Sequence, residues 1–386
     1  MNATKSLSQE EVLRYSRHLM IPEVGLAGQR KLKSASVLIV GTGGLGSPVA
    51  LYLAAAGVGR IGLVDYDRVD SSNLQRQVIH TTSRLDMLKV DSARTQMLDL
   101  NPYIQVDAIN DILTSQNAGE IAAPYDILVD GTDNFPTRYL LNDLAVISRK
   151  PYIYGSIFRF EGQVSVFDPA RGGPCYRCLF PEPPPPGMVP SCAEGGVFGV
   201  LPGTIGTLQA TEVIKLILGI GEILVGKLLL YDALDTSFQT VKLRKNPACK
   251  VCGPTPEITH LIDYEAFCGV PARDTHSGIN SPLDVDPKDT AGRLADLVPV
   301  TLLDVREAVE LQISQLPGAI NIPLGQLSQR LSELDPNREY IIFCRTGVRS
   351  SQALHVLLAA GFQHVHNLRG GINAWSRQVD PDLLQY

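Results

Sequence analysis

The sequence predicts an α/β protein with two domains, each built on a largely parallel sheet. Short β-branched runs alternate with segments of helical periodicity, a glycine-rich loop follows the first run, and the alternation starts again near Ser281. This alternation is typical of parallel sheets covered by helices on both faces. With 386 residues, the chain is also longer than one ordinary core requires.

The predicted elements of the first domain begin with Ser36–Val40, a short apolar run that ends in glycines and predicts a buried strand. Residues 61–65 and 126–130 have the same character and predict two more strands. Between them, residues 90–100 carry apolar side chains at helical spacing, and Pro102 ends the predicted helix.

The middle of the chain departs from this pattern. Residues 180–190 hold six prolines and predict an extended loop. Residues 197–225 are apolar but interrupted by polar and charged side chains, so they predict a buried helix and not a membrane span. Further on, residues 300–305 and Tyr340–Phe343 predict strands, and residues 350–360 predict a helix.

We place the first domain at residues 1–253, a linker at 254–280 and the second domain at 281–386. The net charge of −6 gives no case for nucleic-acid or anionic-membrane partners, and the N-terminus has no apolar signal segment. Seven cysteines, with two CxxC pairs among them, favour metal or thiol chemistry in a reducing compartment over disulfides. We therefore expect a cytoplasmic protein.

The loop after the first predicted strand is rich in glycine and runs Gly41-Thr42-Gly43-Gly44-Leu45-Gly46. Glycines let backbone N–H groups approach a phosphate at the positive end of the following helix. Asp65 ends the next strand, placed to bind ribose hydroxyls. An NAD-dependent oxidoreductase shows the same pattern, so this loop alone leaves the class of enzyme open.

Charged residues beyond the loop favour ATP. Asn73, Arg76 and Lys89 could converge on a triphosphate, where cations neutralise charge and stabilise a pentavalent transition state. Asp133 follows the strand at residues 126–130, at the edge where open α/β sheets bind ligands, and its carboxylate suits Mg²⁺ shared with phosphates.

Two CxxC pairs predict a metal site, and their members are Cys175, Cys178, Cys249 and Cys252. Two such pairs close the tetrahedral thiolate shell of a structural Zn²⁺ site. A redox-active CxxC is the alternative. Cys192 stands apart, flanked by small residues that leave a thiol accessible, although an isolated cysteine is ordinarily buried and inert.

Cys344 follows the strand Tyr340–Phe343 and precedes the predicted helix at residues 350–360. A cysteine at such a position lies among backbone N–H donors, and Arg345 and Arg349 stand nearby in the sequence. These groups favour the thiolate and would equally hold an anionic persulfide.

Residues 8–253 resemble the MoeB/ThiF family of ubiquitin-activating-enzyme-like adenylyltransferases, through GTGGLG, DYDRVDSSNLQRQ, GTDN and both CxxC pairs. That family binds ATP·Mg and adenylates the C-terminal glycine of a ubiquitin-fold sulfur carrier. The resemblance implies a Rossmann-like fold with a zinc site and a set of nucleotide-binding residues: Gly41, Gly43, Gly44 and Gly46, Asp65 for the ribose, Asn73, Arg76, Gln77 and Lys89 for the phosphates, and Asp133 for the metal.

The same resemblance implies two further roles. Arg17 matches an arginine that such proteins supply across a homodimer interface, whereas alone it would be taken as a surface residue. Cys192 matches a cysteine that can bond covalently to the carrier.

Residues 281–386 resemble single-domain rhodanese sulfurtransferases, which implies an α/β fold, a persulfide on Cys344 and support of the sulfur by Arg345, Gly347 and Arg349. Four residues separate Cys344 from Arg349, one fewer than in Cys-based phosphatases of similar fold, and the shorter loop suits sulfane sulfur. The chain has Ser314-Gln315 where many rhodaneses have Gly-His. An inactive regulatory rhodanese is the alternative, but such domains commonly lack the cysteine.

Together, the two halves resemble MoeB–rhodanese fusions of molybdopterin biosynthesis and transfer-RNA thiolation. They predict adenylation of a carrier that ends in Gly-Gly, followed by sulfur transfer that gives a thiocarboxylate. The carrier, MoaD-like or ThiS-like, and the donor, a cysteine desulfurase or thiosulfate, are not identified by the sequence. The alternatives are a conjugating activator that uses the rhodanese for docking and, less favoured, the NAD-dependent oxidoreductase.

Overall fold

The computed structural model describes most of the chain, namely residues 6–184, 195–269, 283–296 and 298–386. The chain forms two compact units, Met1–Ala272 and Arg273–Tyr386. Cys192 lies outside the described residues, as does part of the proline-rich stretch at 180–190.

The described residues of the first unit form an eight-stranded sheet with the order β3-β2-β1-β4-β5-β6-β7-β8. The strands are β1 (Ser36–Val40), β2 (Arg60–Val64), β3 (Gln105–Ile109), β4 (Ile127–Asp130), β5 (Tyr152–Phe158), β6 (Glu161–Phe167), β7 (Lys227–Asp232) and β8 (Ser237–Lys242). Strands β1 to β5 pair in parallel, and β6 to β8 extend the sheet in antiparallel fashion. The predicted strand β1 is confirmed residue for residue. The strand predicted at 61–65 is β2, which begins and ends one residue earlier, and the strand predicted at 126–130 is β4, which begins one residue later.

Helices cover both faces of this sheet. They are α1 (Gln9–Arg14), α2 (Ser16–Leu19), α3 (Gly25–Ser34), α4 (Gly46–Ala56), α5 (Lys89–Leu100), α6 (Ala118–Ala122), α7 (Phe135–Ser148), α8 (Tyr176–Leu179), α9 (Leu201–Leu218) and α10 (Tyr264–Phe267). The predicted helix before Pro102 is α5, and the apolar stretch predicted to be a buried helix contains α9.

Alternate side chains of β1 divide the core of the first unit into two layers, as a strand with two buried faces requires. Val37 and Ile39 pack in one apolar cluster with α4, α5 and α9. Leu38 and Val40 pack in a second cluster with α7. Because β2, β1 and β4 are parallel neighbours, the loops at their carboxyl ends meet at one edge of the sheet.

Part of the predicted linker packs on the first unit, because Tyr264 of α10 is buried in the second apolar cluster. Its hydroxyl donates to Asp143 on α7. Among the described residues, no helix combines the length and the apolar character needed to cross a membrane.

The second unit has a parallel sheet of five described strands in the order β11-β10-β12-β13-β9. Its elements are β9 (Asp284–Val285), α11 (Pro287–Ala295), β10 (Thr301–Asp304), β11 (Ile320–Asn321), α12 (Leu324–Leu327), β12 (Tyr340–Phe343), α13 (Val348–Ala359), β13 (Val365–Leu368) and α14 (Gly371–Gln378). The predicted strand β12 is confirmed exactly at its bounds, and Cys344 directly follows it. The α/β class of both units is thus as predicted.

Candidate functional site

The loop between β1 and α4 is held by backbone contacts that exclude side chains. Gly41 has φ +91°, and a Cβ atom there would lie 2.6 Å from the carbonyl oxygen of Gly131. Gly46, the first residue of α4, abuts the carbonyl oxygen of Gly41 just as closely. The loops after β1 and β4 are therefore packed against each other, and glycine is required where they touch.

Asp65 ties this loop to the end of β2. One carboxylate oxygen accepts hydrogen bonds from the backbone N–H of Thr42 at 2.8 Å and from its hydroxyl at 2.9 Å. The other accepts from the N–H of Asp67 at 3.0 Å. Asp65 is half-buried and lies at the same edge of the sheet as the glycine loop. This is the residue that the sequence predicts as the ribose ligand.

Asn73 organises the predicted phosphate-binding residues that follow it. Its side-chain oxygen accepts from the guanidinium of Arg76 at 2.9 Å and from the amide nitrogen of Gln77 at 3.2 Å. Gln77 is buried, lies against Gly43, and leaves its own side-chain oxygen without a hydrogen-bond partner in the described structure. The structure thus brings Asn73, Arg76 and Gln77 together beside the glycine loop.

Lys89 begins α5 with a buried side chain, and its ammonium lies 2.8 Å from the carboxylate of Asp67. Asp67 is half-exposed, so the carboxylate of this ion pair reaches the surface at the same edge of the sheet. Lys89 is therefore held with its charge partly compensated by Asp67, in the segment after β2 that also carries Asp65.

Two carboxylates lie at the carboxyl end of β4 and have different surroundings, one at the last residue of the strand and one in the loop that follows. Asp130 is fully buried and accepts from the N–H and hydroxyl of Thr132, from Arg138 and from the hydroxyl of Tyr152. The side chain of Asp133 is exposed. Because the oxygens of Asp130 accept hydrogen bonds from internal donors, Asp133 is the carboxylate at this position that solvent and ligands reach.

His80 is a member of this region that the sequence did not single out. Its Nε2 lies 3.1 Å from the carbonyl oxygen of Thr42 and its Nδ1 lies 2.9 Å from the hydroxyl of Ser92. Burial lowers the pKa of His80 to about 4. The ring is therefore neutral and donates from Nε2 to the glycine loop. A lone histidine carries no signal in sequence for such a role.

The stability of the folded chain should fall as the pH drops from about 6.5 to about 4, partly because of His80. The unfolded histidine takes up a proton near its ordinary pKa of 6.5, whereas the folded one resists protonation down to about 4. Stabilisation is thus present above pH 6.5 and is lost towards pH 4, by about 3 kcal/mol. The free energy of unfolding, measured with urea at several pH values, should therefore fall more steeply with decreasing pH in the native chain than in His80→Gln.

His260→Gln is the matched control for that measurement, since His260 is an exposed histidine of the same unit. Identical pH slopes for native protein and His80→Gln would contradict the assigned environment of His80.

Arg17 lies on α2 with an exposed side chain. A single chain therefore presents it to solvent. Three large apolar residues close to it in sequence are also exposed, namely Leu13, Met20 and Ile21.

The four cysteines of the two CxxC pairs come together, with all their sulfur atoms within 4.8 Å of one another. The Sγ atom of Cys175 lies 3.9 Å from that of Cys178 and 3.5 Å from that of Cys249. The Sγ atoms of Cys178 and Cys252 lie 3.4 Å apart. Four sulfurs at about 2.3 Å from a tetrahedral zinc lie about 3.8 Å from one another. The cluster fits this geometry.

The environment of the cluster is that of a closed structural site. Cys175 and Cys249 are buried, and the hydrogen bond from Cys175 lowers the pKa of Cys178 to about 6. Between the first two cysteines, Arg177 is fully buried and forms two hydrogen bonds, at 2.9 and 2.8 Å, with Asp143 on α7. The cluster is therefore anchored to the core of the first unit.

In the second unit, the Sγ of Cys344 lies at the amino end of α13. It accepts from the backbone N–H of Gly347 at 3.1 Å, and the hydroxyl of Ser350, which donates to Asn367 Oδ1 at 2.6 Å, lies 3.5 Å from the sulfur. Gly347 has φ +96°, which turns the chain into the helix. Cys344 is almost fully buried. The backbone donor and the helix terminus both favour negative charge on this sulfur.

Arg349 has a partner that the sequence did not predict. Its two terminal nitrogens bind the two carboxylate oxygens of Glu310 at 2.6 and 2.7 Å. Burial alone would raise the pKa of Glu310, but hydrogen bonds from Arg349 and Tyr386 outweigh it and lower that pKa. Arg345 is half-buried, with its guanidinium 5.6 Å from the centre of the Tyr386 ring.

A glycine loop above a parallel sheet, a four-cysteine cluster and a cysteine at a helix terminus define an adenylating enzyme joined to a sulfurtransferase. The chain belongs to the ThiF family, whose model matches residues 15–251, and the rhodanese-like domain model matches residues 286–378.

Two relatives match nearly the whole chain. The chain is 50% identical to the "Probable adenylyltransferase/sulfurtransferase MoeZ" of Mycobacterium tuberculosis (strain CDC 1551 / Oshkosh), over 99% of this chain and 97% of that protein. It is 44% identical to the "Adenylyltransferase and sulfurtransferase MOCS3" of Drosophila yakuba, over 98% of this chain and 86% of the relative. The crystal structure of E. coli MccB with ATP is similar with a TM-score of 0.53 and 26% identity, covering 62% of this chain and 74% of MccB.

The protein is therefore an enzyme, an adenylyltransferase with sulfurtransferase activity, as the sequence predicts. These relatives favour adenylation over the NAD-dependent oxidoreductase that the glycine loop alone left open.

Proposed function

We propose that the enzyme adenylates the C-terminal glycine of a ubiquitin-fold sulfur carrier and then transfers sulfur from a Cys344 persulfide to give a thiocarboxylate. The observation that carries the sulfur step is the position of the Cys344 sulfur, which accepts from Gly347 N–H at the amino end of α13. A thiolate and a terminal persulfide are both anions that such a terminus stabilises.

The nucleotide site is assigned to the edge where β1, β2 and β4 end. The loop glycines would receive phosphates, Asp65 the ribose, and Arg76 and Lys89 the negative charge of the triphosphate. The buried oxygen of Gln77 that lacks a partner marks a polar position beside the loop, and such positions are usually completed by a ligand or water. The likeness to MccB, solved with ATP, supports ATP as the nucleotide.

Asp133 is the proposed ligand of Mg²⁺. Its exposed carboxylate is a hard oxygen donor at the edge where the phosphates would lie. Bound there, the cation would neutralise charge on the phosphates that leave as pyrophosphate.

The reaction proceeds in three steps. The carrier carboxylate attacks the α-phosphate of ATP, so that an acyl-adenylate forms and pyrophosphate leaves. The terminal sulfur of the Cys344 persulfide then attacks the acyl carbon, and AMP leaves with the electrons of its bond. A second thiol attacks the Cys344 sulfur of the acyl persulfide, which frees the thiocarboxylate and leaves a disulfide for a cellular dithiol to reduce.

Cys192 is our candidate for that second thiol, and it stays a proposal because it lies outside the described residues. A cysteine desulfurase or thiosulfate is the proposed source of the persulfide sulfur. We place the reaction in the cytoplasm, where reducing conditions keep the cluster thiols and Cys344 in the required state.

We also propose that the enzyme acts as a homodimer through the face that carries Arg17. Leu13, Met20, Ile21 and Leu26 on and around α1, α2 and α3 expose large apolar side chains, with exposed fractions from 45% to 78%. A second copy would cover these side chains, and each copy would supply Arg17 to the nucleotide site of the other.

The metal of the cysteine cluster is proposed to be Zn²⁺ in a structural role. Cys249→Ser should lose the metal and lower the free energy of unfolding by about 4 kcal/mol or more, because three ligands no longer close the shell. Elemental analysis of the purified chain and its thermal unfolding measure both effects.

Cys268→Ser is the control for that variant, since Cys268 is buried in the same unit but outside the cluster. A full complement of zinc in Cys249→Ser, or removal of zinc from the native chain without loss of stability, would contradict the proposal.

The decisive test of function is mass spectrometry of candidate carriers after incubation with the enzyme, ATP·Mg and a sulfur donor. We expect a carrier thiocarboxylate that requires both ATP and the donor. Carrier–protein adducts without any thiocarboxylate would instead favour a conjugating activator that uses its rhodanese-like domain for docking.

A further inference from the structure

Tyr386 is linked to both arginines that follow Cys344, since it contacts Arg345 directly and Arg349 through the carboxylate of Glu310. Its ring faces the guanidinium of Arg345 at 5.6 Å. Its hydroxyl donates to Glu310 at 2.7 Å, and Glu310 binds the guanidinium of Arg349 through both oxygens. Arg345 directly follows the nucleophile and Arg349 lies in the first turn of α13, so Tyr386 interacts with both sides of the loop.

The hydroxyl also has a fixed donor of its own. Arg306, which is fully buried, donates to the Tyr386 oxygen at 2.9 Å and forms a close ion pair with Asp304 at the end of β10. A single phenol therefore accepts from one buried arginine and donates to the carboxylate of Glu310. Burial raises the pKa of Tyr386 to about 12, so the proton needed for that donation is present at neutral pH.

The charges of this network explain why a neutral donor is needed here. Asp304 compensates Arg306, and Glu310 compensates Arg349, so each buried cation already has an anion. A hydrogen-bond donor without charge fixes the position of Glu310 without weakening its attraction for Arg349. The backbone of Tyr386 is held as well, because its carbonyl oxygen accepts from the side chain of Asn373 at 3.0 Å.

We infer that Tyr386 is a positioning residue for sulfur transfer at Cys344, which sets Arg349 through Glu310 and sets Arg345 through its ring. This inference rests on the proposed persulfide chemistry of Cys344. Its hydroxyl and its ring act on different arginines, so the two contributions are separable by substitution.

Two variants of the full chain separate them, with thiosulfate as sulfur donor and cyanide as acceptor. Tyr386→Phe keeps the ring and should lower kcat about tenfold, since a hydrogen bond to a buried carboxylate is lost, with KM for thiosulfate within about twofold of the native value. Tyr386→Leu removes the ring too and should in addition raise KM for thiosulfate about fivefold, because Arg345 loses its aromatic contact.

A double-mutant cycle tests whether the hydroxyl acts through Glu310. Glu310→Gln should lower kcat, and adding Tyr386→Phe to it should cost less than about twofold more, because coupled residues are not additive. Tyr340→Phe is the control: it removes a tyrosine hydroxyl of the same unit that accepts from the N–H of Asp335. ATP–pyrophosphate exchange should be unchanged in every variant.

A kcat for Tyr386→Phe equal to that of the native chain or of Tyr340→Phe would overturn the inference, as would full additivity with Glu310→Gln. Those outcomes leave sulfur transfer itself intact. Failure of the persulfide proposal is a different result, namely sulfur transfer that persists when Cys344 is replaced.

Discussion

Replacement of Asp133 by asparagine is expected to lower carrier-dependent ATP–pyrophosphate exchange roughly 10³-fold. The substitution keeps the shape of the side chain and removes the charge that we assign to Mg²⁺. The side chain is exposed, so the fold has no need of its charge. The loss should therefore appear in the exchange rate and leave the thermal unfolding temperature unchanged.

Two controls make this result specific. Asp99→Asn removes an exposed carboxylate from α5 of the same unit and should leave exchange unchanged. Sulfur transfer from thiosulfate to cyanide at Cys344 should also persist in Asp133→Asn. Exchange within about threefold of the native rate would remove Asp133 from the proposed metal site.

Asp133 was selected for the metal by its position in the sequence and by family resemblance, and the surroundings of the neighbouring Asp130 supply a structural reason for that choice. Both follow the strand predicted at residues 126–130 or end it, and both are carboxylates. Only the structure shows that Asp130 is enclosed by Thr132, Arg138 and Tyr152, while Asp133 is exposed. Arg138 lies on α7 and Tyr152 on β5, and no local sequence pattern predicts that they contact Asp130.

Local pattern was sufficient for part of the framework, since it predicted three of the eight described strands of the first unit. A β-branched run followed by glycines predicts β1, and apolar side chains at helical spacing predict α5, because burial of a strand or a helix face constrains neighbouring residues directly. The cysteine cluster was predictable for another reason. Its spacing within each CxxC is local, and the ligand type alone brings the two pairs together across about 70 residues of chain.

Partners distant in sequence escaped prediction. Arg349 was expected to support the sulfur of Cys344, yet its guanidinium is bound by Glu310, which lies 39 residues away in sequence. Tyr386 lies 76 residues from Glu310. His80 contacts the glycine loop at Thr42 across 38 residues. Each of these contacts depends on which strands are neighbours in the sheet, and residue type gives no indication of that order.

The two units place their reactive groups by the same physical rule. In the first, the glycine loop, Asp65 and Asp133 follow the carboxyl ends of three parallel strands. In the second, Cys344 follows the carboxyl end of β12, with α13 beginning directly beyond it. Backbone N–H groups at a helix terminus would then meet an anion in both units, the proposed phosphate in the first and the sulfur of Cys344 in the second.

Replacement of Cys344 by serine is expected to lower the rate of carrier thiocarboxylate formation at least about 10³-fold, with sulfane sulfur as the donor. Serine preserves the size of the side chain and its hydrogen bond from Gly347, but an alcohol cannot hold a persulfide. Adenylation should continue, so that carrier-dependent ATP–pyrophosphate exchange stays at the native rate. Mass spectrometry of the carrier and exchange of labelled pyrophosphate measure the two steps separately.

Ser350→Ala provides a graded comparison, because it removes a hydroxyl dipole that lies 3.5 Å from the Cys344 sulfur and is held by Asn367. Its loss should be about fivefold, far smaller than that of Cys344→Ser, since the Gly347 N–H and the helix terminus remain. Thiocarboxylate formed at the native rate by Cys344→Ser would eliminate the persulfide route. If Cys344→Ser also formed carrier–protein adducts at the native rate, the rhodanese-like domain would serve docking. In this variant the structure of the domain is preserved while its nucleophile is absent.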